Sequence, residues 1–223
     1  MSDRVPIAKA GKGVSAPGHG PSTREPAWQQ QLMGARLVPG TAADDYLAAR
    51  GLPADTAHIA GARYAPAFFG RPAVVFPLRA PDRHIVAVQG RYLDRKQPRM
   101  RTAGTKQAGV FTTTGEFATT ALALTEAPID ALSLARLGMP AIALCGTSWP
   151  GWLPVLLFGH HVHLAFNDDD AGDSMADEMG RVLTSIAVQW QRLRPEGCKD
   201  WNQALLAGKA IRPNFPSLLA SET

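Results

Sequence analysis

Asn167, Asp168, Asp169 and Asp170, followed by Ala171 and Gly172, are the residues of this chain best suited to chemistry. They come directly after an apolar run, Val162-His163-Leu164-Ala165-Phe166, that reads as a buried strand, and they open a helical pattern over about 171–186. Three consecutive carboxylates repel one another at neutral pH. Hard oxygen ligands of this kind suit Mg²⁺ or Mn²⁺, and a divalent ion would relieve the repulsion. The alternative is an acidic turn at a helix N-terminus, where the helix dipole favours carboxylates. On this stretch alone both readings stand.

Two further acids occupy equivalent places. Glu126 ends the apolar run 121–125, just before Pro128 begins a helical pattern, and Asp200 follows another strand-like run at the start of a helix. In parallel α/β sheets ligands bind beyond the carboxyl ends of the strands, so three acids at one edge form a candidate metal cluster. Asp130 reads as a first-turn helix charge rather than a ligand. His160, His161 and His163 could share a strand face, yet strand-edge histidines are commonplace and a transition-metal site is not expected. Trp149, Trp152, Trp190 and Trp201 could stack on bases, but their expected role is to cover the sheet and helix starts.

The elements that must position these residues follow from pattern. Residues 1–24 are rich in Gly, Pro, Ser and Lys and read as a disordered basic tail. Helical patterns follow over 25–37 and 42–50, the second with Thr41 as N-cap and Gly51 as its stop, and then a short one over 54–59. The runs 73–78 and 85–89 are β-rich and separated by a polar turn, as in a hairpin. Arg95, Lys96, Arg99, Arg101 and Lys106 fall in an expected loop with Gly104, and 110–112 reads as a returning strand. From Ala118 onward strands (121–125, 141–145, 162–166, 187–193) alternate with helices (128–137, 152–158, 171–186), the rhythm of a mainly parallel sheet covered on both faces.

Charge is divided between these halves. Of the net +4, the segment 60–106 carries ten Lys/Arg against two acids, whereas 115–223 carries seven against twelve. A basic half joined to an acidic half points to a polyanion held by one part while metal chemistry runs on the other. The two cysteines, Cys145 and Cys198, have no zinc-ligand spacing, and a reduced cytoplasmic setting is the default. No stretch is long and apolar enough to suggest a membrane span, and the GxxxxGK[ST] pattern of a P-loop motor does not occur.

Within 118–206 the chain resembles the Toprim (topoisomerase–primase) domain, in the version found in phage- and plasmid-encoded primases. The matching pieces are Thr125-Glu126-Ala127-Pro128-Ile129-Asp130-Ala131-Leu132, Ala143-Leu144-Cys145-Gly146-Thr147, the stretch from Leu164 to Gly172, and Lys199-Asp200-Trp201-Asn202. Upstream, Tyr46 to Leu52, Arg71 to Pro77 and Val88 to Leu93 resemble the helical entry and basic subdomain of primase cores. The resemblance implies an α/β Toprim domain over 116–210, a smaller basic α+β subdomain over 25–115, and a C-terminal tail over 211–223.

It also implies a function: DNA primase-like nucleotidyl transfer, making short primers on single-stranded DNA from ribonucleoside triphosphates with Mg²⁺ or Mn²⁺. Glu126, Asp169 and Asp200 would be catalytic, and Glu126, Asn167, Asp168, Asp169, Asp200 and Asn202 would hold the metal. Lys199, Gly146 and Thr147 would contact the nucleotide, and Arg91, Arg95, Lys96, Arg99, Arg101 and Lys106 the template backbone. Asn167 stands where the family's first Asp is usual, so a Toprim nuclease or a catalytically weakened nucleic-acid-binding module remain as alternatives. A separate helicase or zinc-binding module is an expected partner, and a membrane is not.

Overall fold

The computed structural model describes residues 26–94, 96–114 and 121–209. Two sheets organise them. The first is antiparallel, with β1 (Arg63–Phe68), β2 (Arg71–Arg79), β3 (Ile85–Tyr92) and β4 (Met100–Gly104) in that spatial order. Three short helices precede it, α1 (Ala27–Leu32), α2 (Ala42–Ala48) and α3 (Ala54–Ile59). Thr41 caps α2 by accepting a hydrogen bond from the Ala43 N–H at 3.3 Å.

β4 corrects the expected basic loop. Met100-Arg101-Thr102-Ala103 has little apolar alternation, but it lies at the sheet edge, where polar side chains are tolerated and only one side needs pairing. β1 was hidden by Pro66. That proline sits on the other edge strand, at an irregularity in the pairing between Ala65 and Phe68, where its missing N–H costs no ladder bond.

The second sheet has the order β5-β7-β6-β8-β9. β6 (Ala121–Thr125), β7 (Ala141–Ala143), β8 (His161–Leu164) and β9 (Gln189–Arg192) are parallel, while β5 (Phe111–Thr112) runs antiparallel against β7. α4 (Pro128–Arg136) and α7 (Trp201–Leu206) cover one face, and α5 (Leu153–Leu156) and α6 (Asp170–Ser185) the other. This is the expected α/β arrangement beside a smaller antiparallel module. α6 seats its Met175, Met179 and Leu183 on the sheet at helical spacing, and Gly180 lets the Trp190 ring approach where a Cβ would lie 2.5 Å away. Among the described residues no helix is long and apolar enough to cross a membrane.

One apolar core joins the two modules. Val74, Phe76 and Leu78 of β2 and Leu47 of α2 share it with Ala123, Leu132, Ala143 and Trp201. Gln89 of β3 adds a buried bond, its amide donating to the Cys145 carbonyl at 3.0 Å. The outer face of the first sheet packs separately, Phe68, Val75 and Tyr92 beneath Trp28 and Leu32 of α1.

His161 and His163 lie on β8 of the second sheet. The His161 and His163 rings lie 5.1 Å apart, and the Gln191 amide nitrogen is 2.8 Å from His163 Nδ1. Burial, with His161 adding to it, pulls the His163 pKa down to about 4. The unfolded chain therefore takes up this proton first, and the contribution of neutral His163 is complete above pH ~6.5 and is lost as pH falls towards ~4. The stability of wild type relative to His163→Gln should drop by ~3 kcal/mol between pH 7 and pH 4 in urea titrations. A difference that does not change with pH would show that the ring is freely protonated in the fold.

Candidate active site

The carboxyl edge of the second sheet collects the acidic residues. Glu126 follows β6 and is half-buried; burial first, then the Asp169 charge, raise its pKa, while Lys106 and Lys199 pull it down. Asp169 is the N-cap of α6. One of its oxygens accepts from the Gly172 N–H at 2.9 Å, and the other lies 3.9 Å from the Lys199 ammonium. Gly172 is required by contact: a Cβ there would fall 2.1 Å from the Asn167 carbonyl oxygen.

The acidic run does not act as one block. Asp168 turns away to Arg194 at 2.7 Å and donates its N–H to the Lys199 carbonyl at 2.9 Å. Asp170 is exposed in the first turn of α6. The run does cap a helix, but arginine and lysine partners relieve part of its repulsion, and only Asp169 faces Glu126 closely enough to perturb it.

Asp200 caps α7 through the Gln203 N–H at 2.8 Å. Its charge is felt by Asp130, which sequence reasoning had set aside as a helix-turn charge. Asp130 is in fact buried, and burial, Asp200 and Glu126 together push its pKa up to about 7, against hydrogen bonds from the backbone of Asn202 and Trp201. The signal was present: an acid inside the apolar run Pro128-Ile129-Asp130-Ala131-Leu132, four residues after Glu126, is turned toward the same edge.

Asn202 is turned into the protein. Its Oδ1 accepts from Arg50 at 2.9 Å, and its Nδ2 donates to the Arg50 carbonyl at 2.9 Å and to Ser133 Oγ at 3.1 Å. Buried and hydrogen-bonded through both ends of its amide, it ties α4 and α7 to Arg50, just after α2. Among the described residues no three His, Cys, Asp or Glu side chains stand close enough to hold one ion as placed here. Asp169 and Asp200 each commit an oxygen to a helix cap, and the Asp200 charge acts on Asp130 but is not among those acting on Glu126. The donor chemistry nonetheless fits a hard divalent ion: half-buried carboxylates whose mutual repulsion is only partly relieved.

The basic residues divide into three places. Lys106 sits in a 3₁₀ turn (Lys106–Ala108) and reaches the acidic edge. Its ammonium lies over Gly146, where an added Cβ would come within 1.8 Å, and its charge acts on Glu126 and Cys145. The same turn is held by the Trp152 indole, which donates to the Ala108 carbonyl at 3.3 Å. Arg91 and Arg99 line a cavity of about 450 Å³ together with Tyr46, Arg50 and Asn202.

Arg101 lies elsewhere, 3.7 Å over the Phe69 ring. It pairs with Gly90 across the ladder, so it projects from the opposite sheet face to Arg91. Lys96 is exposed, its carbonyl accepting from Arg71 at 2.9 Å. Lys199 is exposed beside Asp169, and Thr147 is exposed in the loop after β7. Arg95 lies outside the described residues.

Residues 123–205 match the family model described as Toprim-like. No curated protein matches the chain in sequence. Among solved structures, the primase fragment of the bacteriophage T7 primase-helicase protein is 22% identical with a TM-score of 0.62, over 86% of this chain and 78% of that one. The Aquifex aeolicus primase, comprising zinc-binding and RNA polymerase domains, is 19% identical with a TM-score of 0.67; the match covers 81% of this chain but only 57% of that one. A DNA primase domain from Pseudomonas aeruginosa is 19% identical with a TM-score of 0.63, over 82% and 75% of the two chains. At such identities the likeness establishes the fold, and the fold extends well beyond the segment matched by the family model. Residues 123–205 thus match a Toprim-like family model, within a chain that has the fold of primase catalytic cores.

Proposed function

We propose that this chain is a primase-type nucleotidyltransferase core, joining ribonucleotides on single-stranded DNA with Mg²⁺ or Mn²⁺. The observation that carries the reading is the pairing of two features in a primase fold. Burial and the Asp169 charge raise the pKa of Glu126 at the Toprim edge, and Arg50, Arg91 and Arg99 line a cavity that also takes in Asn202 of α7. Glu126, Asp169 and Asp200 would hold the ion once their side chains draw together around it. When bound, a divalent ion supplies charge neutralisation for in-line attack of a 3′-hydroxyl on an α-phosphorus, with pyrophosphate leaving.

The protein's own residues do the rest. Lys106 and Lys199 flank the carboxylates and offer ammonium groups to phosphate oxygens. Glu126, made more basic by burial and by Asp169, is suited to take the hydroxyl proton. Arg91 and Arg99 hold the polynucleotide backbone, and the Asn202 bond fixes Arg50 beside them. A helicase or a zinc-binding module acting in partnership belongs to the same proposal.

Labelled single-stranded DNA incubated with four ribonucleoside triphosphates and Mg²⁺ tests the reading. New primer product supports it. Shortening of the DNA would make the chain a nuclease, and DNA binding with neither outcome a binding module. The template path has its own test. Arg91→Ala with Arg99→Ala should flatten the salt dependence of DNA affinity by a slope of ~1.4, at ~0.7 per lost contact to a single strand. Arg101→Ala, on the other sheet face, should leave the slope unchanged; the reverse pattern would move the template to that face.

A further inference from the structure

We infer that Arg192 is a positioning residue for Asp169, acting by fixing the backbone of the loop between β8 and α6. Its guanidinium donates through Nη1 to the carbonyls of Leu164 (2.9 Å), Phe166 (2.9 Å) and Leu193 (2.8 Å). Through Nη2 it donates to the Asn167 carbonyl (2.7 Å) and to Asp173 (3.1 Å). Three of these acceptors lie on β8 and its exit, in the last four residues before the acidic run.

The Asn167 carbonyl is thus held from two sides. Arg192 bonds it, and the bare α-carbon of Gly172 lets the same oxygen come where no side chain could fit. With the peptide fixed there, Asp169 falls at the N-cap of α6, one oxygen on the Gly172 N–H and the other toward Lys199. A lysine cannot replace this arrangement, because only a planar fork reaches several carbonyls at once.

Stability alone does not explain such a residue. Removing a guanidinium from water is costly, and an apolar side chain would cover the end of β8 at lower cost. Arg192 is mostly buried (16% exposed), and apart from Leu193 and Asp173 its bonds go to the chain leading into the acidic loop. The neighbouring charges complete the device. Arg194 bridges Asp168 and Asp173 at 2.7 Å each, so the two carboxylates that do not face Glu126 are held on the far side of the loop.

Relevance to catalysis rests on the proposed divalent-ion site, so the experiment separates the two ideas. In metal-free protein, Arg192→Lys should speed hydrogen exchange at the Gly172 and Asp168 amides by ~10-fold or more, while the Ala165 and Leu144 amides in the sheet keep their wild-type rates. Mn²⁺ affinity, read by electron paramagnetic resonance, should fall by ~10-fold, with DNA affinity within twofold of wild type. Asp173→Asn, at a half-exposed position, should change the same two amides in the same direction by less; it decides the matter if Arg192→Lys fails to fold. Unchanged exchange at Gly172 and Asp168, or equal acceleration at all four amides, overturns the positioning role. Absence of Mn²⁺ binding in wild type would instead overturn the metal assignment, and the amide result would still decide whether Arg192 holds the loop.

Discussion

Asp169→Asn should lower primer synthesis by ~10³-fold or more, about 4 kcal/mol in the barrier, without unfolding the protein. The substitution separates charge from architecture. Asparagine caps helices as well as aspartate does, so its Oδ1 can still accept from the Gly172 N–H and α6 keeps its start. What disappears is the negative charge facing Glu126. Glu126→Gln should be as damaging to synthesis, but with an opposite effect on the fold. Burial and Asp169 disfavour the ionised form of Glu126, so a neutral amide there should raise the unfolding midpoint above wild type at pH 8. Activity retained by either variant would remove these carboxylates from the chemistry.

The second large effect is expected at Gly172. Glycine to alanine within a helix ordinarily stabilises by up to ~1 kcal/mol. Here the sign should reverse. The added Cβ would sit 2.1 Å from the Asn167 oxygen, and that oxygen is backbone held by Arg192, so it cannot swing aside as a flexible side chain would. Overpacking of this kind costs about 3 kcal/mol, visible as a lowered urea midpoint, and synthesis should be lost with it. A Gly172→Ala protein as stable as wild type would show that the loop is free to shift.

The alternation of apolar runs and helices made the centre of the second sheet legible in the sequence, because strands buried on both faces, as β6 and β7 are, read as near-continuous apolar runs. The antiparallel module was harder. β4 is basic and β1 is broken by Pro66, and edge strands carry little of the periodicity that betrays a strand. At the site, Glu126, Asp169 and Asp200 could be placed from their positions at strand ends. Their partners could not. Asn202 turns into the protein, Lys106 reaches the acidic edge from the other module, and Arg101 leaves the face occupied by Arg91. Each depends on which way a side chain leaves the backbone, or on contacts between residues tens of positions apart. Arg192 was invisible for the same reason: its bonds go to carbonyls, which every residue possesses.

β5 has a consequence for how this protein can be dissected. The two-residue strand is contributed from upstream, yet it pairs with β7 and closes the flank of the sheet that carries the carboxylates. A fragment trimmed to the segment with the recognisable signature would strip that flank, leaving Ala141-Ile142-Ala143 with open backbone groups and Trp201 and Leu132 without their upstream packing. Such a piece should self-associate through that open edge, so the segment with the recognisable signature depends on its upstream neighbour for closure.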